Sequence, residues 1–442
     1  MTDASSVPFR EAFRVWVKIG LLSFGGPAGQ IALMHRILVE EKKWLSEPQF
    51  LHALNFCMLL PGPEAQQLAT YSGWLLHGVR GGLAAGLLFI LPGVAVMLAL
   101  SVLYAAYAEL AFVEALFFGV KAAVFAIVIE ALIRISKRVM KTGALYAVAA
   151  GAFAAIFFLD VPFPVVVLGA ALFGFAAVRV SPSVFGEALP AGEKGTANGN
   201  GVSAGRSFLR TIVTLFVGLT VWLGPVAALL LAFGTSHVFT QEAVFFSKMA
   251  VVTFGGAYAV LAYVAQEAVQ NFGWLNAGEM LDGLGLAETT PGPLIMVLQF
   301  VGFLGAYRGE TGLDPMASGI AGAAITTWVT FAPCFLWIFL GAPYVERLRN
   351  VKSLNAAFTA ITAAVVGVIA NLAVWFGLHV LFGEVAEMRF AVFRLFVPNV
   401  ATLDPWALAL SAAAVVAVLR FKAGMLPVLG VAAVLGLAIR FL

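Results

Sequence analysis

Two proline-glycine-proline triplets stand in mostly apolar stretches, Pro61-Gly62-Pro63 and Pro291-Gly292-Pro293. Two prolines around a glycine cannot continue a helix at membrane depth without leaving backbone groups unpaired, so the helix is expected to break at each triplet. With Pro63 at the first helical position, the free amides of the next turn and the positive helix end would offer an anion site, helped by Gln66 and Gln67. Thr289 and Thr290 place hydroxyls just before the second break. A paired kink serving packing alone is the bland alternative. Glu64 and Glu288 flank the breaks, and each is either a cap on the helix dipole or an acid that exchanges protons, as an intramembrane carboxyl group can. A dianion and an ionised Glu64 would repel, so substrate and proton would compete there.

The basic residues that could serve an anion path are few. Lys18 and Lys248 each lie six residues before a Phe-Gly-Gly motif; each either supplies charge to the path or snorkels to the headgroups. Lys121 is close to the middle of an expected span and is either paired with an acid or facing the pathway. Glu130 and Arg134 are four apart and read as a local helix pair. Arg36 is a solvated loop charge or a substrate contact. The five histidines, at 35, 52, 77, 237 and 379, show no metal spacing, and no phosphate-binding Gly-x-x-x-x-Gly-Lys run occurs. Cys57 and Cys334 lie in apolar surroundings and read as buried, inert thiols. No cofactor and no metal are expected, and the net charge of +3 gives no reason to expect nucleic acid.

The elements that must hold these residues follow from composition. The 442 residues are 62% hydrophobic and only 11% charged, outside the range of soluble domains. Runs without Asp, Glu, Lys or Arg extend over 81–108, 315–345 and 353–383, each longer than the roughly 20 residues that cross hydrocarbon. Further spans are expected near 114–133, 143–159, 163–178, 211–234, 405–419 and 425–441. Continuous apolar runs point to helices rather than a barrel. Before Phe24-Gly25-Gly26-Pro27, Arg10, Arg14 and Lys18 sit four apart on one face, with Phe13, Trp16, Val17 and Leu21 on another, which reads as an interfacial helix. The glycines permit unusual backbone angles and the proline favours a new helix start. Residues 1–10 show no apolar core with a cleavage site, so no cleaved signal peptide is expected.

The sequence is written twice. Ser23-Phe24-Gly25-Gly26 and Thr253-Phe254-Gly255-Gly256 are 230 residues apart, and the same offset aligns Lys18 with Lys248, Trp44-Leu45 with Trp274-Leu275, and one Pro-Gly-Pro triplet with the other. The halves are 1–180 and 208–442, joined by a flexible polar linker at 181–207. Basic residues Arg134, Lys137, Arg138 and Lys141 place one loop in the cytoplasm, so that the span at 83–106 leaves the cytoplasm, whereas its repeat counterpart at 316–341 ends in Arg347, Arg349 and Lys352, so equivalent spans would run in opposite directions. The expected fold is an all-α polytopic membrane protein of two homologous halves, arranged as inverted repeats, each with a broken or re-entrant helix near the midplane, and about 10 to 13 membrane segments in all.

Ser23-Phe24-Gly25-Gly26-Pro27-Ala28-Gly29-Gln30, Trp44-Leu45, Leu60-Pro61-Gly62-Pro63-Glu64-Ala65-Gln66-Gln67-Leu68-Ala69, Phe89-Ile90-Leu91-Pro92-Gly93, Thr253-Phe254-Gly255-Gly256 and Glu288-Thr289-Thr290-Pro291-Gly292-Pro293-Leu294 together resemble the long-chain, two-domain form of the chromate transporter family. The resemblance implies a secondary transporter of the bacterial inner membrane that exports chromate and confers resistance. It draws Ser23, Gly25, Gly26, Gln30, Thr253, Gly255 and Gly256 into the candidate substrate path with the residues named above. Export is physically reasonable, because a dianion leaving a negative interior gains about 4 to 5 kcal/mol per 100 mV. Sulfate has nearly the same shape and charge and remains the rival cargo. A passive anion channel is a further reading. A membrane enzyme would need a flavin, haem or nicotinamide site, whose signatures are absent from the sequence. The expected partners are the oxyanion and the lipid bilayer, with a homodimer left open.

Overall fold

The computed structural model describes residues 7–180, 208–254, 257–342 and 352–441. The linker at 181–207, Gly255 and Gly256, and Arg347 and Arg349 of the basic end lie outside the described residues. The chain forms α1 (Phe9–Leu22), α2 (Gly26–His35), a π-helical turn (Arg36–Glu41), α3 (Glu47–Cys57), α4 (Glu64–Tyr107), α5 (Ala111–Val139), α6 (Gly143–Phe157) and α7 (Phe163–Val180). The second half follows with α8 (Phe208–Phe233), α9 (Val238–Val252), α10 (Ala257–Gln266), a π-helical turn (Glu267–Asn271), α11 (Ala277–Thr289), a 3-10 turn (Leu294–Met296), α12 (Val297–Arg308) and α13 (Pro315–Gly341). It closes with α14 (Lys352–Leu381), β1 (Val385–Phe390), β2 (Phe393–Pro398), α15 (Pro405–Leu419) and α16 (Met425–Phe441). Six helices among the described residues are long and apolar enough to cross a membrane, including α5, α13 and the segment Ser353–Leu381 of α14.

The repeat is visible bond by bond. Ser46 caps α3 and exchanges hydrogen bonds with Gln49, and Asn276 caps α11 and does the same with Glu279. These are capping boxes at equivalent positions, satisfying amides that a helix start leaves open. The two π-helical turns are also equivalent. Lys42 N–H donates to Ile37 O and Phe272 N–H to Glu267 O, and Trp44 N–H donates to Leu38 O as Trp274 N–H does to Ala268 O. Both tryptophans are buried.

The 44-residue α4 is a helical hairpin rather than one rod. Non-helical angles fall at His77 (φ −139°, ψ 23°) and at Gly78 (φ 62°, ψ −149°), the latter a conformation that glycine alone adopts easily. The chain then folds back on itself. A Cβ on Gly73 would strike the Gly81 carbonyl, and one on Gly82 would lie 3.1 Å from Thr70 O, contacts that a straight helix of this length could not make. The second half builds the same hairpin from α12 and α13, with a loop between them and Gly302 against Gly322. Small residues at such crossings let backbones approach where lipid supplies no hydrophobic drive.

Two compact units emerge, and each draws on both halves. One takes the described residues of Met1–Val96, Leu189–Gly256 and Pro291–Asn355; the other takes those of Met97–Ala188, Ala257–Thr290 and Ala356–Leu442. In the first, α1 buries Ala12, Val15, Trp16, Ile19 and Gly20, while Phe13 and Leu21 are exposed, so the buried face is turned from the one expected. The reason is Gly20, where a Cβ would strike Leu88 O: the closest approach sets the inward face, and bulky neighbours are turned out. In the second unit, α5 packs on α15 and on α16, the latter through Gly119 and Gly436. The helical class holds, with one addition among the described residues: β1 and β2 form an antiparallel hairpin, Val385 opposite Pro398 and Phe390 opposite Phe393. It is tied down by buried Arg394, which reaches Asp160 at 2.6 Å and the carbonyl of Ile156 at 2.8 Å.

Because alanine stabilises a helix by up to about 1 kcal/mol over glycine, the close approach in α4 should reverse the usual sign. Gly73→Ala is expected to lower stability by about 1 to 3 kcal/mol, since its Cβ meets backbone. Gly169→Ala, with open space around it, should be neutral or mildly stabilising. Thermal unfolding of the two variants in detergent checks the contrast.

Candidate functional site

The first unit holds a crossing of the two broken segments. Between α3 and α4 the chain passes through Pro61-Gly62-Pro63, and Gly62 takes φ +123°. Between α11 and α12 it passes through Pro291-Gly292-Pro293, and Gly292 takes φ +94°. Each glycine amide is met by the other half: Gly62 N–H donates to Thr253 O at 2.8 Å, and Gly292 N–H donates to Ser23 O at 2.7 Å. The repeat register interchanges these two bonds. Such reciprocity is the local signature of a two-fold relation between halves, as in an isologous contact. The acceptors are themselves positioned identically, for the Ser23 hydroxyl donates back to Ile19 O at 2.6 Å and the Thr253 hydroxyl donates to Met249 O at 2.5 Å. Pro27 lies in the first turn of α2 behind Gly25 (φ +84°), as the Gly-Gly-Pro motif suggested.

Glutamines bind the crossing together. Gln30 Nε2 donates to Gly292 O at 2.5 Å, Gln67 Nε2 donates to Pro61 O at 2.7 Å, and Gln66 Nε2 donates to Thr70 Oγ1 at 3.1 Å. All three side chains are buried, and among the described residues their carbonyl oxygens accept no hydrogen bond. The expectation that Pro63 would be the first helical residue needs correcting. α4 starts at Glu64, so Pro63 immediately precedes the helix. The Gly62 amide is engaged by Thr253, because a backbone donor buried here must be satisfied, and the opposite half is the nearest acceptor. Glu64 is half-buried in the first turn of α4. Pro291, Gly292 and Pro293 are buried.

The remaining candidates are dispersed. Lys18, Lys248 and Arg36 are exposed, and Arg36 faces Glu41 at 3.5 Å. Thr289 and Thr290 direct their hydroxyl protons to Leu286 O and Ala287 O, carbonyls of their own helix. Gly26 takes φ +69° at the start of α2. In the second unit, Lys121 is paired with an acid, its Nζ 3.4 Å from Asp282 Oδ2, and Tyr104 donates to that oxygen at 2.8 Å. Glu288 is buried and accepts from Tyr258 OH at 2.6 Å. Glu130 and Arg134 form the local pair expected, at 3.3 Å. Cys57 and Cys334 are buried free thiols.

Sequence reading missed Asp282, Tyr104, Tyr258 and Glu242. Asp282 and Glu242 carried a signal: each is an acid in a mostly apolar helix, at repeat positions where the first half carries His52 and Ala12. Among the described residues, no group of three or more His, Cys, Asp or Glu side chains comes together to hold a metal.

Helices that break where backbone groups are then satisfied across two halves, beside six helices among the described residues that are long and apolar enough to cross a membrane, define a multi-pass helical membrane protein of duplicated architecture. The family model for the chromate transporter matches residues 10–175 and 240–437, covering both halves, and the chain belongs to that family. It is 32% identical to the chromate transport protein of Pseudomonas aeruginosa, over 83% of this chain and 81% of that one. It is 28% identical to the probable chromate transport protein of Synechococcus elongatus, over 83% and 84% of the two chains. An uncharacterized transporter of Methanocaldococcus jannaschii is 25% identical over 83% and 84%. No solved structure matches the chain.

Two predictions follow from this geometry. Gly62→Ala should cost more stability than Gly292→Ala, by about 1 to 2 kcal/mol, because both positions have positive φ but only the first would push a Cβ to 2.8 Å from Gln67 Nε2 and 2.9 Å from Cys334 Sγ; thermal unfolding measures the difference. Lys121→Met should destabilise by about 2 kcal/mol, at the low end for a broken buried pair because Lys121 is 30% exposed, and adding Asp282→Asn should recover most of the loss. A double-mutant cycle in denaturant checks it.

Proposed function

We propose that the protein is a secondary transporter that exports chromate across the bacterial inner membrane and so confers chromate resistance. The flux is driven by the membrane potential or by exchange for protons. The reading rests on membership of the family together with one observation, the reciprocal crossing of Gly62 with Thr253 and Gly292 with Ser23. Broken helices from two repeats that meet at one place are where transporters of this kind carry their cargo, because irregular backbone at depth is tolerated only where protein or a polar path satisfies it. The two-fold reciprocity also supports an inverted arrangement of the halves, in which one packing can open to either side. The substrate path would run past Ser23, Gln30, Gly62, Gln66, Gln67 and Gly292, with Lys18 and Lys248 supplying charge near its ends. Sulfate or another tetrahedral oxyanion, close to chromate in shape and charge, is the alternative cargo.

Radiolabelled chromate flux into everted membrane vesicles tests the reading, under an imposed potential and separately under an imposed pH gradient. Accumulation is expected only when this chain is present, and an equal concentration of sulfate should leave it largely intact. Absence of flux under both gradients, or its abolition by equimolar sulfate, would defeat chromate as the substrate.

A further inference from the structure

Glu242 lies on α9, five residues after His237, the N-cap, and is fully buried. Among the described residues, no hydrogen-bond donor reaches either of its carboxylate oxygens. The helices packed on α9 supply no compensating charge: α13 has no charged residue from Pro315 to Gly341, Arg308 at the end of α12 is exposed with Tyr307 half-buried beside it, and Arg210 of α8 is exposed. On α9 itself Lys248 is exposed, and half-buried His237 accepts from Phe239 N–H. An ionised carboxylate held this way carries a heavy desolvation cost, which a bound proton removes.

The repeat provides an internal control. At the equivalent position of the first half stands Ala12, equally buried on α1. Packing therefore has no need of a carboxyl group here.

What Glu242 faces is equally specific. Its Oε2 is 2.9 Å from where a Cβ on Gly322 would be, a point that also lies 2.4 Å from Gly302 O, so the carboxyl group sits against the glycine contact between α12 and α13. From that point a row at helical spacing runs along α13 through Thr326, Thr330 and Cys334, all buried. The hydroxyls of Thr326 and Thr330 have no hydrogen-bond partner among the described residues, and the Cys334 thiol donates to Thr330 O at 3.4 Å. Cys334 Sγ is in turn 2.9 Å from the position of a Cβ on Gly62. The row thus begins at the buried acid and ends at the crossing, where the carbonyl oxygens of Gln66 and Gln67 are also unpartnered.

We propose that Glu242 is the proton-binding residue of the transport cycle, linked to the crossing by the polar row Thr326, Thr330 and Cys334. The carboxylate takes one proton from water and returns one to water, with no other bond made or broken. This rests on the transporter reading above and adds the coupling ion and its site. It places coupling in the second half alone, on the one acid that, among the described residues, is buried in the first unit's core.

The test uses Glu242→Gln in the same vesicles, with an infrared titration of the purified proteins. Flux driven by a pH gradient should fall about tenfold or more, while flux driven by potential alone stays within about twofold. Glu242→Asp should retain a response to pH, and Thr330→Val should weaken the pH-driven flux without touching the potential-driven one. The difference spectrum between unmodified protein and Glu242→Gln should contain a carboxyl band that changes with pH. Should the glutamine variant not fold, Glu242→Ala, which copies the first half, is expected to give the same losses. The inference is overturned if Glu242→Gln follows a pH gradient as the unmodified protein does, if no titrating band is lost, or if the unmodified flux follows sodium and ignores pH. Absence of any chromate flux in the unmodified protein defeats the substrate reading instead, and the infrared difference then decides on Glu242 by itself.

Discussion

Everything in the first unit is organised around two main-chain hydrogen bonds, Gly62 N–H to Thr253 O and Gly292 N–H to Ser23 O. A helix broken inside an apolar environment leaves donors and acceptors that water cannot reach, and each costs several kcal/mol if left unpaired. The protein meets that cost by letting each half complete the other's break. Prolines on both sides of each glycine remove competing donors, and the positive φ of the glycine turns its amide outward from its own segment. Gln30 and Gln67 then close carbonyls that the crossing would otherwise leave open.

The hairpins serve this arrangement. In the first half, α4 turns back at His77 and Gly78, and in the second, α12 returns as α13; both put small residues at the contact so that backbone packs on backbone. The same α13 that forms the hairpin brings Cys334 against Gly62 and Gly322 against Glu242. One helix therefore carries both the structural contact to the crossing and the row of polar side chains beside it. In the second unit, polar chemistry takes a different form. Asp282 is held by Lys121 and Tyr104, and Glu288 by Tyr258, so these acids have donors that Glu242 lacks.

Much of this was legible in the residues. Pro-Gly-Pro announces a break because proline cannot donate, and Gly-Gly-Pro announces a left-handed turn followed by a helix start. The offset between the halves announced that whatever one break does, the other repeats. What the residues could not disclose was partnership across long separations: that Lys121 would meet Asp282, or that the Gly62 amide would be satisfied by Thr253. The turn inside α4 was not drawn from the residues, although His77-Gly78-Val79-Arg80-Gly81-Gly82 carries three glycines just where the uncharged run from 81 begins. The hairpin of β1 and β2 was hidden because six-residue strands next to long spans give little periodic signal, and its anchor on Asp160 is a tertiary contact. Glu242 was visible as an acid in a mostly apolar helix, and only the packing of α13 around it gives it meaning.

The reciprocity of the crossing has a historical consequence. A chain of one half's length contains a glycine amide with no acceptor and a serine carbonyl with no donor, and neither can be satisfied by folding back on itself in the register seen here. Two such chains side by side would satisfy both pairs at once. Joining two such copies into one polypeptide would preserve that obligation, and matched π-helical turns and capping boxes are what a common half-length parent would leave in both halves. What joining adds is licence to diverge. Identical copies must carry the same side chain at every equivalent position, whereas a single gene can keep Ala12 in one half and place Glu242 in the other.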